Sequence, residues 1–454
     1  MCVGEKPRAE RRPVTDISKL WVLHGRFYDL QPFMARHPGG AYNLLLGRGR
    51  DCTELFESVH SLSDVNMSAI LNKYEVSVEP QIMKEQAHKV NITLNEEGTA
   101  PVDLFSWKKE GLYKTIVQRV KAKVFSEDAN YKATKFVAAK LAVMAVLYVM
   151  TWYFAVTTGN LWWAVCSGAL TEMLGFCLMH DASHGAVSKN WRLNYGGTLW
   201  SSWMFWNHWL WLQHHCYGHH SYSGIYRKDP DVVNSKLFIR KDKAMKMTVF
   251  NKFQHWIAFP LMMMFPNQHI GQIIQYQLSR FRRRIFGLPT TACTPAMQMH
   301  NNVVMLLSFL FHIVAPFVFL PVGNALAILF VHYTLMGISY FFCVAPNHDQ
   351  MEQHHAKLVT AGQQLDWGEH QVLNSGNHST STSLVDRAIT QLWGSMNYQI
   401  EHHLFPSVSH VHMPRVAVIV RQTCAEFGVA YNGDHNWLGS MGSFWHACRE
   451  LARP

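Results

Sequence analysis

Charge is scarce in this chain. Only 16% of its 454 residues are Asp, Glu, Lys or Arg, well short of the roughly 25% usual for a soluble domain. That argues against a protein wholly surrounded by water. Mean hydropathy is -0.06, too low for a chain made mostly of membrane spans. Hydrophobic helices joined to substantial polar parts are therefore expected. No Cys-x-x-Cys pair occurs among the nine cysteines, and several of them sit in apolar runs. Buried reduced thiols are expected rather than a disulfide framework. The N-terminal stretch MCVGEKPRAERRP lacks an apolar core, so it does not read as a secretory signal peptide. No internal repeat or low-complexity tract is present. With 13% aromatic residues, disorder is excluded for most of the chain.

Residues 14–80 read as a small α+β domain. The stretch Trp21-Val22-Leu23-His24-Gly25-Arg26-Phe27-Tyr28-Asp29 reads as two strands turning at His24-Gly25, and Tyr74–Val78 as a closing strand. Residues 81–105 are polar and read as a linker, and 106–454 form the rest. Four apolar runs in that part are long enough to cross a bilayer, which takes ~20 residues: about 136–156, 161–179, 302–322 and 325–345. Short turns, 157–160 and Gly323-Asn324, make each pair a hairpin. These turns carry no Lys or Arg, whereas the long middle stretch carries Lys189, Arg192, Arg227, Lys228, Lys241, Lys243, Lys246, Arg280, Arg282, Arg283 and Arg284. The positive-inside bias then puts both termini and the middle stretch in the cytosol. Much of the net charge of +10 is accounted for by this topology, so no nucleic-acid partner is called for. Leu199–Leu212 and Trp256–Phe265 are shorter and read as buried or interfacial helices.

The 27 histidines are arranged rather than scattered. Three groups fall on the predicted cytosolic face: His180 and His184; His214, His215, His219 and His220; and His402 and His403, with Asn347-His348 after the last span. On an α-helix His180 and His184 share a face, His215 and His219 repeat that geometry, and His220 points in a second direction. Seven or eight imidazoles exceed the need of one metal, so two ions are expected, with imidazole suiting iron, copper or zinc. Asp181, Asp229, Asp231, Asp349 and Glu401 are placed to fix histidine tautomers. His354, His355, His370, His378, His410 and His412 fall outside the three groups and read as loop residues. In the small domain, His37-Pro38-Gly39-Gly40 and His60 can clamp a haem iron from both sides.

His37-Pro38-Gly39-Gly40 with His60 resembles cytochrome b5. The histidine groups, the third opening with Gln399, resemble those of membrane fatty acid desaturases, and the domain order resembles the b5-fused front-end desaturases. The second group has three residues between His215 and His219 where many relatives have two, which leaves His214 and His215 both open as ligands. The resemblance implies a mainly α fold, a four-helix membrane desaturase with a cytosolic histidine-rich helical cap behind a b5-like haem domain. It implies two non-haem irons on His180, His184, His215, His219, His220, His348, His402 and His403 with Gln399 in the site, and haem b on His37 and His60. It further implies O2 as oxidant and electrons from NADH through cytochrome b5 reductase, the linker acting as a short flexible tether. The reaction implied is insertion of a cis double bond into a polyunsaturated acyl chain, CoA- or lipid-linked, in the endoplasmic reticulum membrane. A b5-fused sphingolipid desaturase and a fatty acyl hydroxylase or acetylenase share the same ligands. The Trp203–Trp211 and Trp256–Phe265 stretches are candidate channel walls, and Glu172, costly in lipid, is expected to face the bundle interior.

Overall fold

The computed structural model describes residues 14–453, apart from 88, 89, 91, 127–129, 235, 264–273, 275–277, 279–283, 361 and 434. In the N-terminal part, β1 (Trp21–Leu23) pairs antiparallel with β2 (Arg26–Tyr28), and β3 (Glu75–Val76) adds to β2. His24 and Gly25 both take positive φ, 47° and 69°, as a tight two-residue hairpin turn requires. Short helices at Ala41–Leu46, Thr53–Val59 and Met67–Leu71 fill the interval between β2 and β3.

The stretch expected to be a flexible tether is folded. A helix runs over Pro80–Gln86, and the Gln86 side chain bonds Ile17 N and Thr15 O. Met83 and Val90 are buried against Ile17, Leu20, Val22 and Phe27. A bridge between Leu94 and Pro101 closes a turn around Gly98. Its polar composition concealed the few apolar residues that suffice to anchor it.

Among the described residues, four helices are long and apolar enough to cross a membrane: α1 (Lys135–Thr158), α2 (Leu161–Ser183), α3 (Pro295–Phe319) and α4, which begins at Val322. The chain is an integral membrane protein. Thr134 caps α1 by accepting from Val137 N, Gly159 ends it with φ 68°, and Asn160 caps α2 through Trp162 N. α2 packs against both α1 and α4. Gly168 lies so close to α4 that a Cβ there would stand 2.3 Å from the His332 carbonyl oxygen, the small-residue contact that lets membrane helices approach. Val143, Val146, Leu306, Leu307 and Phe330 point outward, where lipid meets them.

The second hairpin turn differs from expectation. The break falls at Leu320, which is extended at φ -126° and ψ 152°, and at Pro321, while Gly323 and Asn324 lie inside α4. Proline cannot continue α3 but is well suited to opening a helix. α3 likewise begins early, because Thr294 caps it and Pro295 occupies its first turn. Leu199–Leu212 forms two short helices, Trp200–Trp203 and His208–Trp211, neither of span length. Gln254–Met263 is also helical; Met264 and Phe265, together with Arg280, Arg282 and Arg283, lie outside the described residues.

The small domain is docked on the membrane domain. Arg50, 1% exposed, donates to Gln213 Oε1 at 3.0 Å and to the Pro289 carbonyl at 2.5 Å. Its guanidinium lies 4.2 Å from the centre of the Tyr217 ring, whose hydroxyl donates to Asp51 O at 2.8 Å. Gly40, at φ 82°, rests on the Trp191 indole, where a Cβ would stand 2.8 Å from the ring. Tyr113 OH reaches the carbonyls of both Glu57 and Leu404. One hydrophobic core runs continuously from Trp21 and Leu46 through Trp211 and Tyr217 to Leu404 and Phe405.

Candidate metal centre

His180 closes a π-helical stretch, Gly175–His180, and Leu212–His219 winds in the same manner. A π-turn bonds i to i+5 and so holds one residue more than an α-turn. The extra residue of the second histidine group is absorbed there. The consequence reverses one expectation: His215 shares its direction with His220, five residues on, and His219 turns away to a second group.

Five imidazoles, those of His180, His184, His215, His220 and His402, place one nitrogen each within 4.8 Å of the others, and His219, His348 and His403 do the same. The groups adjoin, since the His220 and His403 rings stack with centroids 4.2 Å apart. All eight expected histidines therefore meet. Gln399 joins the smaller group, its Nε2 2.9 Å from His348 Nε2. His214 does not join; its Nε2 pairs with Asp231 Oδ1 at 2.7 Å.

The ring nitrogens are oriented for cations. His219 Nδ1 donates to Asp229, His348 Nδ1 to the Asn374 carbonyl at 2.8 Å, and His403 Nδ1 to Gln371 Oε1 at 2.9 Å. With Nδ1 protonated in each, Nε2 presents a lone pair. Yet His219 Nε2 faces His348 Nε2 at 3.2 Å, and His402 Nε2 faces His220 Nε2 at 3.1 Å. In the first pair, where Nδ1 holds the proton in both rings, the two Nε2 lone pairs face one another and repel unless a cation lies between them. Nε2 of His180, His184, His215 and His403 is buried without a hydrogen-bond partner among the described residues, an arrangement that leaves a desolvation cost uncompensated in a purely structural cluster. Burial, reinforced by neighbouring imidazoles, holds His184, His215, His220, His402 and His403 well below the usual histidine range. They stay neutral, which is the metal-binding form. His219 is the exception: burial opposes its charge, but Asp229 and Asp231 raise it. The donor set fits two ions of the imidazole-binding kind.

The carboxylates divide. Asp229 and Asp231 lie against His219. Asp181 instead pairs with His410 at 2.8 Å, Asp349 with Lys241 at 2.7 Å, and Glu401 accepts from Asn377 and Tyr431. Of the six histidines read as loop residues only His355 is exposed; His354, His370, His378, His410 and His412 are buried. His370, for example, bonds the Ser223 carbonyl at 2.9 Å. Sequence reasoning also missed Gln371 and Asn374, whose roles depend on a helix, Trp367–Leu373, that no histidine motif marks.

His37 and His60 face each other with ring centroids 6.2 Å apart. Two metal–nitrogen bonds of ~2.0 Å and two half-rings fill that gap. Both Nδ1 atoms donate to backbone carbonyls, Gly40 at 3.1 Å and Phe56 at 2.9 Å, leaving Nε2 free on each. Burial lowers both from the usual histidine range. They border a cavity of about 610 Å³ walled by Leu30, Phe33, Leu55, Phe56 and Ile70, so the site fits a porphyrin held from both faces.

A second cavity, about 110 Å³, runs past the eight-histidine site. Glu172, Phe176, Met179, Trp206, Trp211 and Tyr340 border it, as do the charged side chains of Asp229, Asp231, Lys241, Asp349 and Lys357. Glu172 is buried, and its Oε2 has no hydrogen-bond partner among the described residues. Trp203 and Trp256 are not among the lining residues.

Comparison with known proteins accords with this geometry. The profile of the Fatty acid desaturase family matches residues 160–435, well over half of the chain, and that of the Cytochrome b5-like Heme/Steroid binding domain matches residues 10–79. An acyl-lipid (8-3)-desaturase of Mortierella alpina is 26% identical over 434 residues, covering 90% of this chain and 88% of that protein. An acyl-lipid omega-13 desaturase of Chlamydomonas reinhardtii is 25% identical, covering 95% of both. An sn-1 linoleoyl-lipid 6-desaturase of Arthrospira platensis is 24% identical, covering 76% of this chain and 94% of its own length.

Proposed function

Because the chain belongs to the fatty acid desaturase family and carries a cytochrome b5-like domain at its N-terminus, we propose that it is a front-end acyl desaturase. It inserts a cis double bond between an existing one and the carboxyl end of a polyunsaturated acyl chain, consuming O2 and electrons delivered through its own b5 domain. The observation that carries this reading is the meeting of eight imidazoles in two adjoining groups with facing Nε2 atoms. His180, His184, His215, His220 and His402 would hold one iron; His219, His348 and His403, with Gln399 beside them, would hold the other. His37 and His60 would hold haem b. When bound, the irons supply the oxidant that an unactivated methylene C–H requires, and the haem relays single electrons.

The chain's own residues do the rest. Asp229, Asn374 and Gln371 fix three tautomers, so that each Nε2 is aimed before any cation arrives. Met179, Trp206 and Trp211 wall the cavity beside His180 and His215 and keep water from it. A space of about 110 Å³ takes the carbons nearest the site, not a whole acyl chain. The acyl-lipid names of the relatives favour a lipid-linked substrate. A cytosolic NADH-dependent b5 reductase supplies the electrons. The endoplasmic reticulum membrane, with both termini cytosolic, satisfies the loop charges.

The test is expression in a yeast host fed defined polyunsaturated acids, with gas chromatography of the products. New acids two hydrogens lighter, with the added double bond on the carboxyl side, support the proposal and assign its position. A product one oxygen heavier points to a hydroxylase, and modified sphingoid bases to the sphingolipid reaction; either contradicts it.

A further inference from the structure

The haem cavity is not built by the b5-like domain alone. Its apolar walls come largely from that domain, which also contributes Arg36, Asn43 and Ser63, while Lys132, Ser183, Ser188, Lys189, Asn194 and Ser407 reach it from the membrane domain. Lys132 is half-buried; its Nζ donates to the Ser407 carbonyl at 3.0 Å and lies 4.4 Å from the centre of the Tyr131 ring. Among the described residues no carboxylate pairs with Lys132 or Lys189. Asp181, the acid that acts on Lys132, is already bonded to Ser409 and His410. Burial pushes Lys132 down to about 8, Asp181 opposes that fall, and the like charge of Lys189 adds to it. Two ammonium groups near one another, one of them desolvated, create a demand for anionic charge that the described protein does not meet.

Haem b is an apolar plate with two carboxylates on one edge. In a cavity lined both by apolar side chains and by lysines, the plate packs on the former and the carboxylates on the latter. Resting on the haem reading above, we propose that the membrane domain completes the haem site, Lys132 and Lys189 receiving the porphyrin carboxylates. His184 borders this cavity and also belongs to the five-histidine group, so one side chain separates the two sites. The haem itself then becomes part of the contact that holds the domains together, and the lysines help set its potential. A nearby positive charge favours the reduced state, so its removal lowers the midpoint.

The full chain, purified in detergent, is reconstituted with haem or with haem dimethyl ester, which lacks the charges. Midpoint potential and the rate of haem transfer to apomyoglobin are measured for wild type, Lys132→Ala, Lys132→Arg and Lys189→Ala. With haem, both alanine variants lower the potential, and Lys132→Ala releases haem roughly ten-fold faster or more. Lys132→Arg restores the wild-type values, and with the ester the variants release haem at indistinguishable rates. Lys189 is exposed, so its variant keeps the test open if Lys132→Ala fails to fold. Bis-histidine haem with unchanged potential and release in the alanine variants overturns this inference alone. A wild-type chain that takes up no haem overturns the haem reading and this inference with it.

Discussion

Replacing Arg50 by alanine cuts the contact that seats the b5-like domain on the helix carrying His215, His219 and His220. The wild-type guanidinium makes two hydrogen bonds and one ring contact while almost wholly buried. Hydrogen bonds from a charged donor contribute about 1.5–3 kcal/mol each, and a desolvated cation–π contact about 2. The cost of desolvating the cation, several kcal/mol, offsets much of that sum. Gln213 Oε1 also stays paired in the variant, through Thr291 N. A net loss of about 2–4 kcal/mol remains, typical of a central interface arginine. It lowers the docking constant roughly 30- to 1,000-fold. Hydrogen exchange on the full chain reads this directly: amides of 41–60 and of 191–217 gain exchange in Arg50→Ala. Arg50→Lys, which keeps the charge but loses the planar fork, falls between. The exposed control Arg26→Ala, whose partner is Glu75, leaves exchange at these positions unchanged. Equal protection in Arg50→Ala and wild type refutes the reasoning.

His215→Ala loses non-haem iron whereas His214→Ala keeps it, as metal analysis of the two purified variants checks. Glu172→Leu replaces a buried carboxyl having an unpaired oxygen by a hydrocarbon and raises stability by about 1–3 kcal/mol, seen as a higher Tm; a fall in Tm shows instead that the carboxyl serves a polar partner. His24 is raised from 6.5 to about 9, burial opposing the charge and Asp103 and Glu57 more than overcoming it. A raised folded-state value means that the stabilisation is complete below pH 6.5 and is lost as pH rises through about 9. A Tm profile between those limits shows that decline, and His24→Gln flattens it.

The sequence made the histidine groups legible because ligand identity is a local property, and hydropathy over ~20-residue windows made the four membrane helices legible. What it could not carry is winding. An α-helical register pairs His215 with His219, and only the π-helical turn, which depends on how Leu212–His219 packs, pairs His215 with His220. The same holds for Asp181 and Asp349, which stand beside histidines in sequence yet bond His410 and Lys241 in space. The folded segment 80–105 was hidden because Met83 and Val90 are few, and their burial depends on a surface formed much earlier in the chain. Arg50 offered no motif at all: a buried arginine becomes meaningful only when the second domain is in view.

Iron counted against haem in the purified full-length chain tests the central claim most directly. Total iron by mass spectrometry and haem by its pyridine complex are predicted to give about two non-haem irons per haem, falling to about one in His219→Ala. Haem without non-haem iron would contradict the account, leaving eight converging imidazoles without the cations their geometry calls for.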